Sequence, residues 1–280
     1  MADLTVIILT LNEEKNIVQA IKSVKTIAKR IVVLDSGSTD NTQKLAEDHG
    51  AEFVVHLPWI NHATQFNWGI ENTGINTEWI LRLDADEVIT PEGAKEIEHA
   101  LEIHANDDVN GFEFKMRLVF MGKWLKYSGC YPLIISRLWR RGHGCVEKRN
   151  MDEHALIDGK VLRFKHDMLH LDFKSIDDWI NKHNKYATRE MMDYYDRMEI
   201  HERQETPRLL GAQRQRRRFL KNGVYYNLPK FFRAHLYFIY RYYFRLGFLD
   251  GVHGKIYCFL QAYWYRFLVD TKIFEKEHAE

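Results

Sequence analysis

The sequence predicts an α/β fold: a mostly parallel sheet flanked by helices, followed by a helical, basic and aromatic carboxy-terminal region. Two observations indicate the sheet, because short β-branched apolar runs alternate with amphipathic segments and each run ends in a polar loop. A third observation distinguishes the carboxy-terminal region: between Thr206 and Leu249 there are ten Lys or Arg residues and no Asp or Glu. The whole chain has a net charge of +1, so the rest of it carries −9.

The composition is that of a globular protein, since 45% of the 280 residues are hydrophobic and 28% are charged, and this excludes wholesale disorder. We divide the chain into a catalytic domain, 1–174, and a helical extension, 175–280. The three cysteines show neither paired nor metal-like spacing, which favours a reducing cytoplasm. The amino terminus lacks the basic start of a signal peptide, and nowhere do about 18 uncharged apolar residues run together. We therefore expect a cytoplasmic protein without a membrane-spanning helix.

The first third of the chain alternates predicted strands with predicted helices. The elements are strands at 4–9, 30–34 and 52–56, a helix that opens at Asn12, and a helix at 42–49. This order predicts a parallel sheet with right-handed crossovers. Ligands bind such sheets beyond the carboxyl ends of the strands. We therefore expect the polar loops after Leu9, Leu34 and Leu83 to share one edge.

A further apolar run, Trp79 to Leu83, ends in three carboxylates, Asp84, Asp86 and Glu87. Carboxylates are unfavourable inside a core, so their position at the end of a buried strand favours a cation there. Mg²⁺ or Mn²⁺ binds one or two carboxylates while substrate phosphates complete its shell. The alternative is a strand end with solvated acids ahead of a helix that starts near Thr90.

The loop after the second strand, Asp35 to Thr42, consists of residues typical of turns and helix caps. Those preferences explain Ser36 to Thr42 without any ligand. Asp35 directly follows the buried run, where it could accept hydrogen bonds from a ribose or a base.

The later pattern predicts a helix at 91–104, a strand at 111–119 and a helix from 175 to about 203. The segment 120–131 is rich in glycine and aromatic residues and suits the covering of a sugar. Arg137 is a candidate for phosphate contacts, with an ordinary surface position as the alternative.

Three motifs carry a resemblance to a known family: Thr10-Leu-Asn-Glu-Glu14, Leu34-Asp-Ser-Gly-Ser-Thr-Asp-Asn-Thr42 and Leu83-Asp-Ala-Asp-Glu87. In this order they resemble glycosyltransferase family 2, inverting enzymes with the Rossmann-like GT-A fold. Downstream motifs are similar to one branch of that family: Gly129-Cys-Tyr-Pro132, Arg137-Leu-Trp-Arg140 and Gly247-Phe-Leu-Asp-Gly251. That branch adds sugars in lipopolysaccharide-core and other bacterial surface-glycan synthesis, and it includes a β-1,4-glucosyltransferase.

The resemblance implies roles for individual residues of the amino-terminal half. The nucleotide of a nucleotide-sugar would be held by Thr10, Asn12, Glu13 and Asp35. Asp84, with Ala85 beside it, would bind the ribose or the sugar. Asp86 would ligate the Mg²⁺ or Mn²⁺ that bridges the diphosphate, and His170 would complete the metal shell.

Asp152-Glu153-His154 is the candidate position for the catalytic base. An inverting displacement needs a carboxylate near the acceptor hydroxyl, on the face opposite the leaving diphosphate. The branch's His-Glu-type motif favours Glu153, whereas other members of the family use the Asp of a Glu-Asp pair, which makes Asp152 the rival. Two solvated loop acids are the alternative.

The basic and aromatic region suits a helix lying in a membrane interface. Wound as a helix, it places cations on one side: Lys230, Arg233, Arg241 and Arg245. The opposite side is apolar: Phe232, Leu236, Ile239, Tyr243 and Leu246. Such a helix directs its cations to anionic headgroups and its rings to acyl chains. The alternatives are a helix packed on the protein itself, and single-stranded nucleic acid, which the acidic remainder of the chain argues against.

Taken together, these patterns predict a metal-dependent inverting glycosyltransferase on the inner face of the cytoplasmic membrane. The expected donor is a UDP-sugar, with glucose as the sugar, and the expected acceptor is a lipid-linked or lipopolysaccharide-core saccharide. One alternative is a sugar-phosphate nucleotidyltransferase, which would carry a Gly-rich loop after the first strand, whereas Thr10 to Lys15 contains no glycine. Another is a non-catalytic membrane or RNA adaptor, which would need only the basic region.

Overall fold

The computed structural model of the chain describes residues 2–148, 153–196 and 207–279. These residues form two compact units. The first unit consists of 2–119, 133–148 and 153–173, and the second of 120–132, 174–196 and 207–279. Segment 120–132 thus belongs to the second unit, whereas the sequence division had placed it in the first.

The secondary structure alternates strands and helices before a helical carboxy-terminal part. The strands are β1 (Ala2–Thr10), β2 (Ala28–Asp35), β3 (Glu52–Val55), β4 (Trp79–Asp84), β5 (Glu87–Ile89), β6 (Val109–Phe120), β7 (Lys123–Trp124), β8 (Leu133–Arg140), β9 (Gly144–Val146), β10 (Ala155–Ile157), β11 (Lys160–Arg163) and β12 (Met168–Leu171). The helices are α1 (Ile17–Val24), α2 (Thr42–Asp48), α3 (His62–Asn72), α4 (Pro91–Ile103), α5 (Ile176–Asp196), α6 (Gln213–Gly223), α7 (Phe232–Ile239), α8 (Gly251–Tyr257) and α9 (Tyr265–His278).

Eight strands of the main sheet follow the order β3-β2-β1-β4-β8-β6-β12-β5, and β11 also pairs with β6, in parallel. The first four strands of this order are parallel to one another. Strand β8 runs antiparallel to both β4 and β6, β12 runs parallel to β6, and β5 runs antiparallel to β12. The predicted fold class, a mostly parallel sheet flanked by helices, is confirmed.

Both faces of this sheet are buried, which explains why its central strands read as continuous apolar runs. Alternate residues of β1 belong to different core clusters, Val6 and Ile8 to one and Ile7 and Leu9 to the other. The first cluster includes residues of α1, α2 and α4, and the second includes residues of α3. Strand alternation therefore anchors helices on both sides of the sheet.

Two helices of the first unit begin where side-chain caps would place them. Asn61 Oδ1 accepts a hydrogen bond of 2.8 Å from the backbone N–H of Thr64 at the start of α3. Thr90 Oγ1 accepts one of 3.1 Å from the N–H of Gly93, and Pro91 occupies the first turn of α4. Such caps satisfy amide groups that have no partner within the helix.

The second unit is helical and buries several charged side chains. Helices α5 and α9 pack through a small apolar cluster: Ala187, Tyr265, Val269 and Ile273. Arg233 and Asp270, each with a side chain 1% exposed, form an ion pair in which Arg233 Nε donates to Asp270 Oδ1 at 2.9 Å. Of the helices in the described ranges, none combines the length and apolar character needed to cross a bilayer.

Candidate functional site

Three neighbouring strand ends bring predicted donor-binding residues together in the first unit. The parallel register places Thr10 opposite Asp35, and Leu9 opposite Asp84. The Thr10 hydroxyl donates a hydrogen bond of 2.9 Å to Asp35 Oδ1. The loops that follow β1, β2 and β4 therefore share the carboxyl-end edge of the sheet.

The loop after β1 is hydrogen-bonded to the loop after β2. Asn12 adopts φ +53°, a left-handed conformation that asparagine tolerates better than most residues. In this conformation its backbone N–H donates to Ser38 Oγ at 2.7 Å, and its side-chain Oδ1 accepts from the N–H of Thr39 at 2.8 Å. The N–H of Glu13 donates to Thr42 Oγ1 at 2.8 Å. Asn12 and Glu13 thus fix the geometry of this edge.

Asp35 is buried, with 1% of its surface exposed. Its Oδ1 accepts hydrogen bonds from the hydroxyls of Thr10 and Ser38, and its Oδ2 accepts from the N–H groups of Gly37 and Ser38 at 2.7 and 2.6 Å. Both oxygens already have two donors, so Asp35 braces the loop in this structure. Its contact with a ribose or base stays a prediction.

Asp84, Glu87 and Arg137 form a compact charge cluster at the end of β4. Arg137 Nη2 lies 2.8 Å from Asp84 Oδ2 and also pairs with Glu87, and the N–H of Asp84 donates to Glu87 Oε2 at 3.0 Å. Burial raises the pKa of Glu87 to about 7, opposed by Arg137 and reinforced by Asp84. Burial acts in the same direction on Asp84, but Arg137 and then Arg82 outweigh it and hold the pKa of that carboxyl well below its usual range.

Arg82 joins this cluster to Glu153, the predicted base. The guanidinium of Arg82 lies 3.0 Å from Glu153 Oε1 and 3.5 Å from Asp84 Oδ1, and it stacks 5.5 Å above the centre of the Phe66 ring. The Arg82 side chain is only 5% exposed and that of Glu153 13% exposed. One buried cation therefore holds the predicted base at the same edge as the predicted donor carboxylate.

Asp86 and His170 come together because β5 and β12 pair. In that antiparallel register His170 lies opposite Glu87, and the N–H of Leu171 donates to the carbonyl of Asp86 at 2.7 Å. His170 Nε2 consequently lies 3.4 Å from Asp86 Oδ2. The other ring nitrogen, His170 Nδ1, is buried and has no hydrogen-bond partner among the described residues.

These donors fit a divalent ion whose remaining ligands come from the substrate. Asp86 and His170 offer one carboxylate and one imidazole, a set that Mn²⁺ accepts and that Mg²⁺ accepts through the carboxylate. The edge also carries more carboxylates than guanidiniums, namely Asp84, Asp86, Glu87 and Glu153 against Arg82 and Arg137. Within the ranges that the structure describes, no three His, Cys, Asp or Glu side chains are grouped to hold a metal ion by themselves.

The remaining predicted site residues have mixed outcomes. Ala85 is buried at the same edge, 4% exposed. Arg137, a candidate for phosphate contacts, engages two carboxylates of its own unit, and its side chain is 13% exposed, so its contact with phosphate stays a prediction. Asp152, the rival base, lies outside the described residues.

Arg82 is a site residue that the sequence patterns do not assign, and Glu87, one of the three carboxylates predicted to attract a cation, has a partner that they do not predict. Arg82 interrupts the apolar run Trp79 to Leu83, and a charge in a buried strand requires a partner. That interruption was the available signal. The pairing of Glu87 with Arg137 depends on β8 lying beside β4 in the sheet, and the sequence motifs do not indicate that arrangement.

The cations that were predicted to face a membrane occupy different environments in the second unit. Arg233 is buried against Asp270, so its assignment to a membrane surface is wrong. Lys230 precedes α7 and pairs with Glu277. Arg241 and Arg245 lie beyond the end of α7, where the chain winds as a π-helical turn (Tyr240–Phe244), so the four cations do not form one helical face.

Comparison with known proteins shows similarity to glycosyltransferases. Residues 5–129 match glycosyl transferase family 2. An uncharacterized glycosyltransferase of Rickettsia typhi is 28% identical over 205 residues, covering 69% of this chain and 68% of that protein. One of Rickettsia felis is 36% identical over 119 residues, covering 42% and 41%. A lipopolysaccharide core biosynthesis glycosyltransferase, LpsC of Rhizobium meliloti, is 29% identical over 191 residues, covering 66% and 69%.

Solved structures show a more distant likeness. Glucosyl-3-phosphoglycerate synthase from Mycobacterium tuberculosis, solved in complex with Mn²⁺, UDP and glucosyl-3-phosphoglycerate, is 20% identical with a TM-score of 0.34. That alignment covers 41% of this chain and 43% of the synthase chain. A mycobacterial protein is 19% identical with a TM-score of 0.37, covering 49% and 53%.

Proposed function

We propose that this protein, whose residues 5–129 match glycosyl transferase family 2, is a glycosyltransferase that transfers one sugar, with inversion, from a UDP-sugar to an acceptor hydroxyl. We propose glucose as the sugar, Mg²⁺ or Mn²⁺ as the cofactor, and a lipid-linked or lipopolysaccharide-core saccharide at the inner face of the cytoplasmic membrane as the acceptor. The name of the relative LpsC supports the class of acceptor.

One observation carries the proposal: carboxylates with separable roles meet at a single sheet edge. Asp84 follows β4, Glu153 is attached to it through Arg82, and Asp86 pairs with His170. A transferase of this kind needs a donor-binding group, a proton acceptor and a counter-charge for the diphosphate. The edge supplies a candidate for each.

In the proposed reaction the acceptor O–H gives its proton to Glu153 as the acceptor oxygen attacks the anomeric carbon of the donor. The bond between that carbon and the phosphate oxygen breaks, and its electron pair leaves with UDP. Arg82 keeps Glu153 oriented through the 3.0 Å contact. Asp84, kept ionised by Arg137 and Arg82, accepts hydrogen bonds from the donor.

Asp86 and His170 are the residues proposed to hold the divalent ion. When bound, such an ion neutralises charge on the diphosphate leaving group and so favours its departure. The loops after β1 and β2 would hold the nucleotide, with Asn12 and Glu13 fixed by Ser38, Thr39 and Thr42.

The rival activity, sugar-phosphate nucleotidyl transfer, uses a different bond and gives a different product. The test is to incubate the full chain and Mn²⁺ with UDP-, dTDP- and GDP-sugars and a panel of lipid-linked saccharides, and to follow nucleotide release and the anomeric configuration of the product. We expect UDP release and a product of inverted configuration. Release of pyrophosphate from UTP and a sugar 1-phosphate, or a product of retained configuration, would overturn the proposal.

A further inference from the structure

The second unit exposes an apolar surface between residues 232 and 252. Its members are large hydrophobic side chains at least one third exposed: Phe232, Leu236, Ile239, Tyr240, Tyr243, Phe244, Leu246, Phe248, Leu249 and Val252. Phe244 is 75% and Val252 68% exposed. Three of them, Phe232, Leu236 and Ile239, follow the four- and three-residue spacing of one helical face in α7. A concentration of this size in a short segment marks a surface that contacts something other than water.

The exposed charges between residues 207 and 269 are of one sign. From 207 to 269 the sequence has a single acid, Asp250. Asp250 is 3% exposed, and its carboxylate accepts hydrogen bonds from the N–H groups of Lys126 and Tyr127 at 3.2 and 2.9 Å. The segment therefore presents cations without any exposed carboxylate of its own.

Three of those cations converge on one turn, Ser128 to Cys130. Arg217 Nη2 donates to the carbonyl of Gly129 at 3.3 Å. Arg241 donates through Nε to the carbonyl of Ser128 and through Nη2 to Cys130 Sγ at 3.2 Å. The Arg245 guanidinium borders Gly129 so closely that a Cβ built there would lie 3.6 Å from its Cζ, and the N–H of Ser128 donates to the Arg245 carbonyl at 2.7 Å.

None of the three guanidiniums has a carboxylate partner among the described residues. The pKa of Arg217 is lowered, first by partial desolvation of its guanidinium and, among nearby charges, by Arg241 and Arg245, against the opposing effect of Tyr237. By contrast, Arg233 and Arg266 of the same unit pair with Asp270 and Glu190. A group of guanidiniums without a counter-ion is suited to an oxyanion such as a phosphate, whose oxygens match the planar fork of donors.

The arginines and the apolar surface are contiguous. Arg245 Nη1 donates to the hydroxyl of Tyr240 at 3.2 Å, and Tyr240 is itself 44% exposed. Arg241 and Arg245 also flank Tyr243 and Phe244 in the sequence. Phosphate-binding donors beside exposed rings are the arrangement that an amphiphile with an anionic head requires.

We propose that Arg217, Arg241 and Arg245 bind the phosphate headgroup of anionic lipid in a bilayer while the apolar surface 232–252 enters the headgroup and acyl boundary. The proposal identifies anionic lipid as the membrane partner of the proposed glycosyltransferase. It rests on the proposed function only for the reason that the enzyme would bind a membrane. A second copy of the chain fits less well, because a two-fold contact would set these arginines against themselves.

The experiment is co-sedimentation of the full chain with vesicles of phosphatidylcholine alone or with 30% phosphatidylglycerol, at low and high salt. We expect binding to the anionic vesicles that salt weakens but does not abolish, because insertion of rings is not screened. The double variant Arg217→Gln/Arg245→Gln should partition about 30-fold more weakly, from roughly 1 kcal/mol per cation. Phe244→Ser should reduce partitioning roughly tenfold at both salt concentrations.

Matched control variants distinguish binding through this surface from nonspecific electrostatic and hydrophobic binding. Arg216→Gln removes the same charge from the neighbouring residue of α6, and Ile103→Ser removes an exposed apolar side chain, 58% exposed, at the end of α4 in the first unit. Both should bind vesicles like the wild type. Donor hydrolysis should be unchanged in all variants, whereas absence of hydrolysis in the wild type would count against the proposed function and not against this surface.

Four outcomes would overturn the inference. The first is wild-type protein that remains in the supernatant with anionic vesicles at low salt. The second is a Phe244→Ser or double-arginine variant that pellets as well as its control. The third is a soluble dimer in which the same substitutions abolish dimerisation but leave vesicle binding unchanged. The fourth is binding of millimolar inorganic phosphate without any binding to vesicles, which would identify the ligand as a free anion and not a lipid.

Discussion

In the first unit Arg82 and Arg137 lie among four carboxylates at an open sheet edge, whereas in the second unit Arg233 and Asp270 pair one to one in the interior. Both arrangements use the same residue types. The interior pair has side chains 1% exposed, and Arg233 also donates to the carbonyl of Tyr226 at 3.2 Å. The sheet-edge cluster keeps excess negative charge and a buried His170 nitrogen without a partner among the described residues.

The contrast indicates how to separate charges that stabilise a fold from charges that bind a ligand. A buried charge with its partners in place is satisfied by the protein alone, and removing one partner leaves an uncompensated charge. A cluster with unbalanced charge is not satisfied by the protein alone, and its balance changes when a cation or an anion enters. We therefore expect substitutions at the sheet edge to affect activity more than stability, and substitutions at the interior pair to do the reverse.

The largest effect should come from Glu153→Gln. The amide keeps the shape of the side chain but cannot accept the proton, so turnover should fall by roughly 10²–10⁴ while UDP affinity and melting temperature stay near wild type. Glu52→Gln, which changes an exposed surface carboxylate paired with Arg30, is the control and should be fully active. If Asp152→Asn is inactive and Glu153→Gln is active, the two roles are exchanged.

Next in size is Asp270→Ala in the second unit. Leaving Arg233 buried without its partner should lower the free energy of unfolding by about 3–5 kcal/mol, measured by urea denaturation. Replacing both residues, as Arg233→Met with Asp270→Leu, should recover most of that loss because no charge is left unpaired. If the double variant is as unstable as Asp270→Ala, the unpaired charge of Arg233 is not the cause of the lost stability.

The third prediction concerns Arg82→Met, which tests whether a buried charge at the sheet edge positions the proposed base. Losing one charge-assisted hydrogen bond to Glu153 should lower kcat by about ten- to a hundredfold, from roughly 1.5–3 kcal/mol. As a positioning residue, Arg82 should leave KM for the donor within about twofold, and Arg82→Lys should restore part of kcat. A change confined to stability, with kcat unaltered, would place Arg82 with the structural charges.

The smallest effect is expected for a surface pair of the first unit. Lys29 Nζ lies 3.0 Å from Asp3 Oδ1, and both side chains are roughly half exposed. Lys29→Ala should change the free energy of unfolding by no more than about 1 kcal/mol and leave turnover untouched. A larger loss, measured in the same denaturation experiment, would mean that exposure alone does not distinguish the classes of charge compared above.

Much of the first unit follows from local sequence patterns. The apolar runs that became β1, β2 and β4 are buried on both faces, so their composition and length were enough to predict them. The shared edge of their loops followed from parallel order alone, and Thr10 does lie opposite Asp35. These features depend on the composition of short stretches and on the parallel order of strands, and not on which distant side chains pair.

The parts that could not be predicted depend on pairings between distant residues. Arg137 meets Asp84 only because β8 inserts antiparallel between β4 and β6. Arg233 turns inward because Asp270, 37 residues later, offers a partner that helical periodicity cannot reveal. The prediction that this arginine faces a membrane used the period of one helix and omitted what packs against it.

The most direct test of the central claim, that the sheet edge of the first unit is a metal-assisted donor site, is the thermal stability of wild type and Asp86→Ala with UDP, with and without Mn²⁺. For wild type at 100-fold the dissociation constant, UDP with Mn²⁺ should add about 2.7 kcal/mol, or roughly 5–10 °C in Tm. Asp86→Ala should melt near the wild-type temperature without ligand and lose the Mn²⁺-dependent increment. Equal stabilisation by UDP in EDTA, or an increment that survives in Asp86→Ala, would contradict the account.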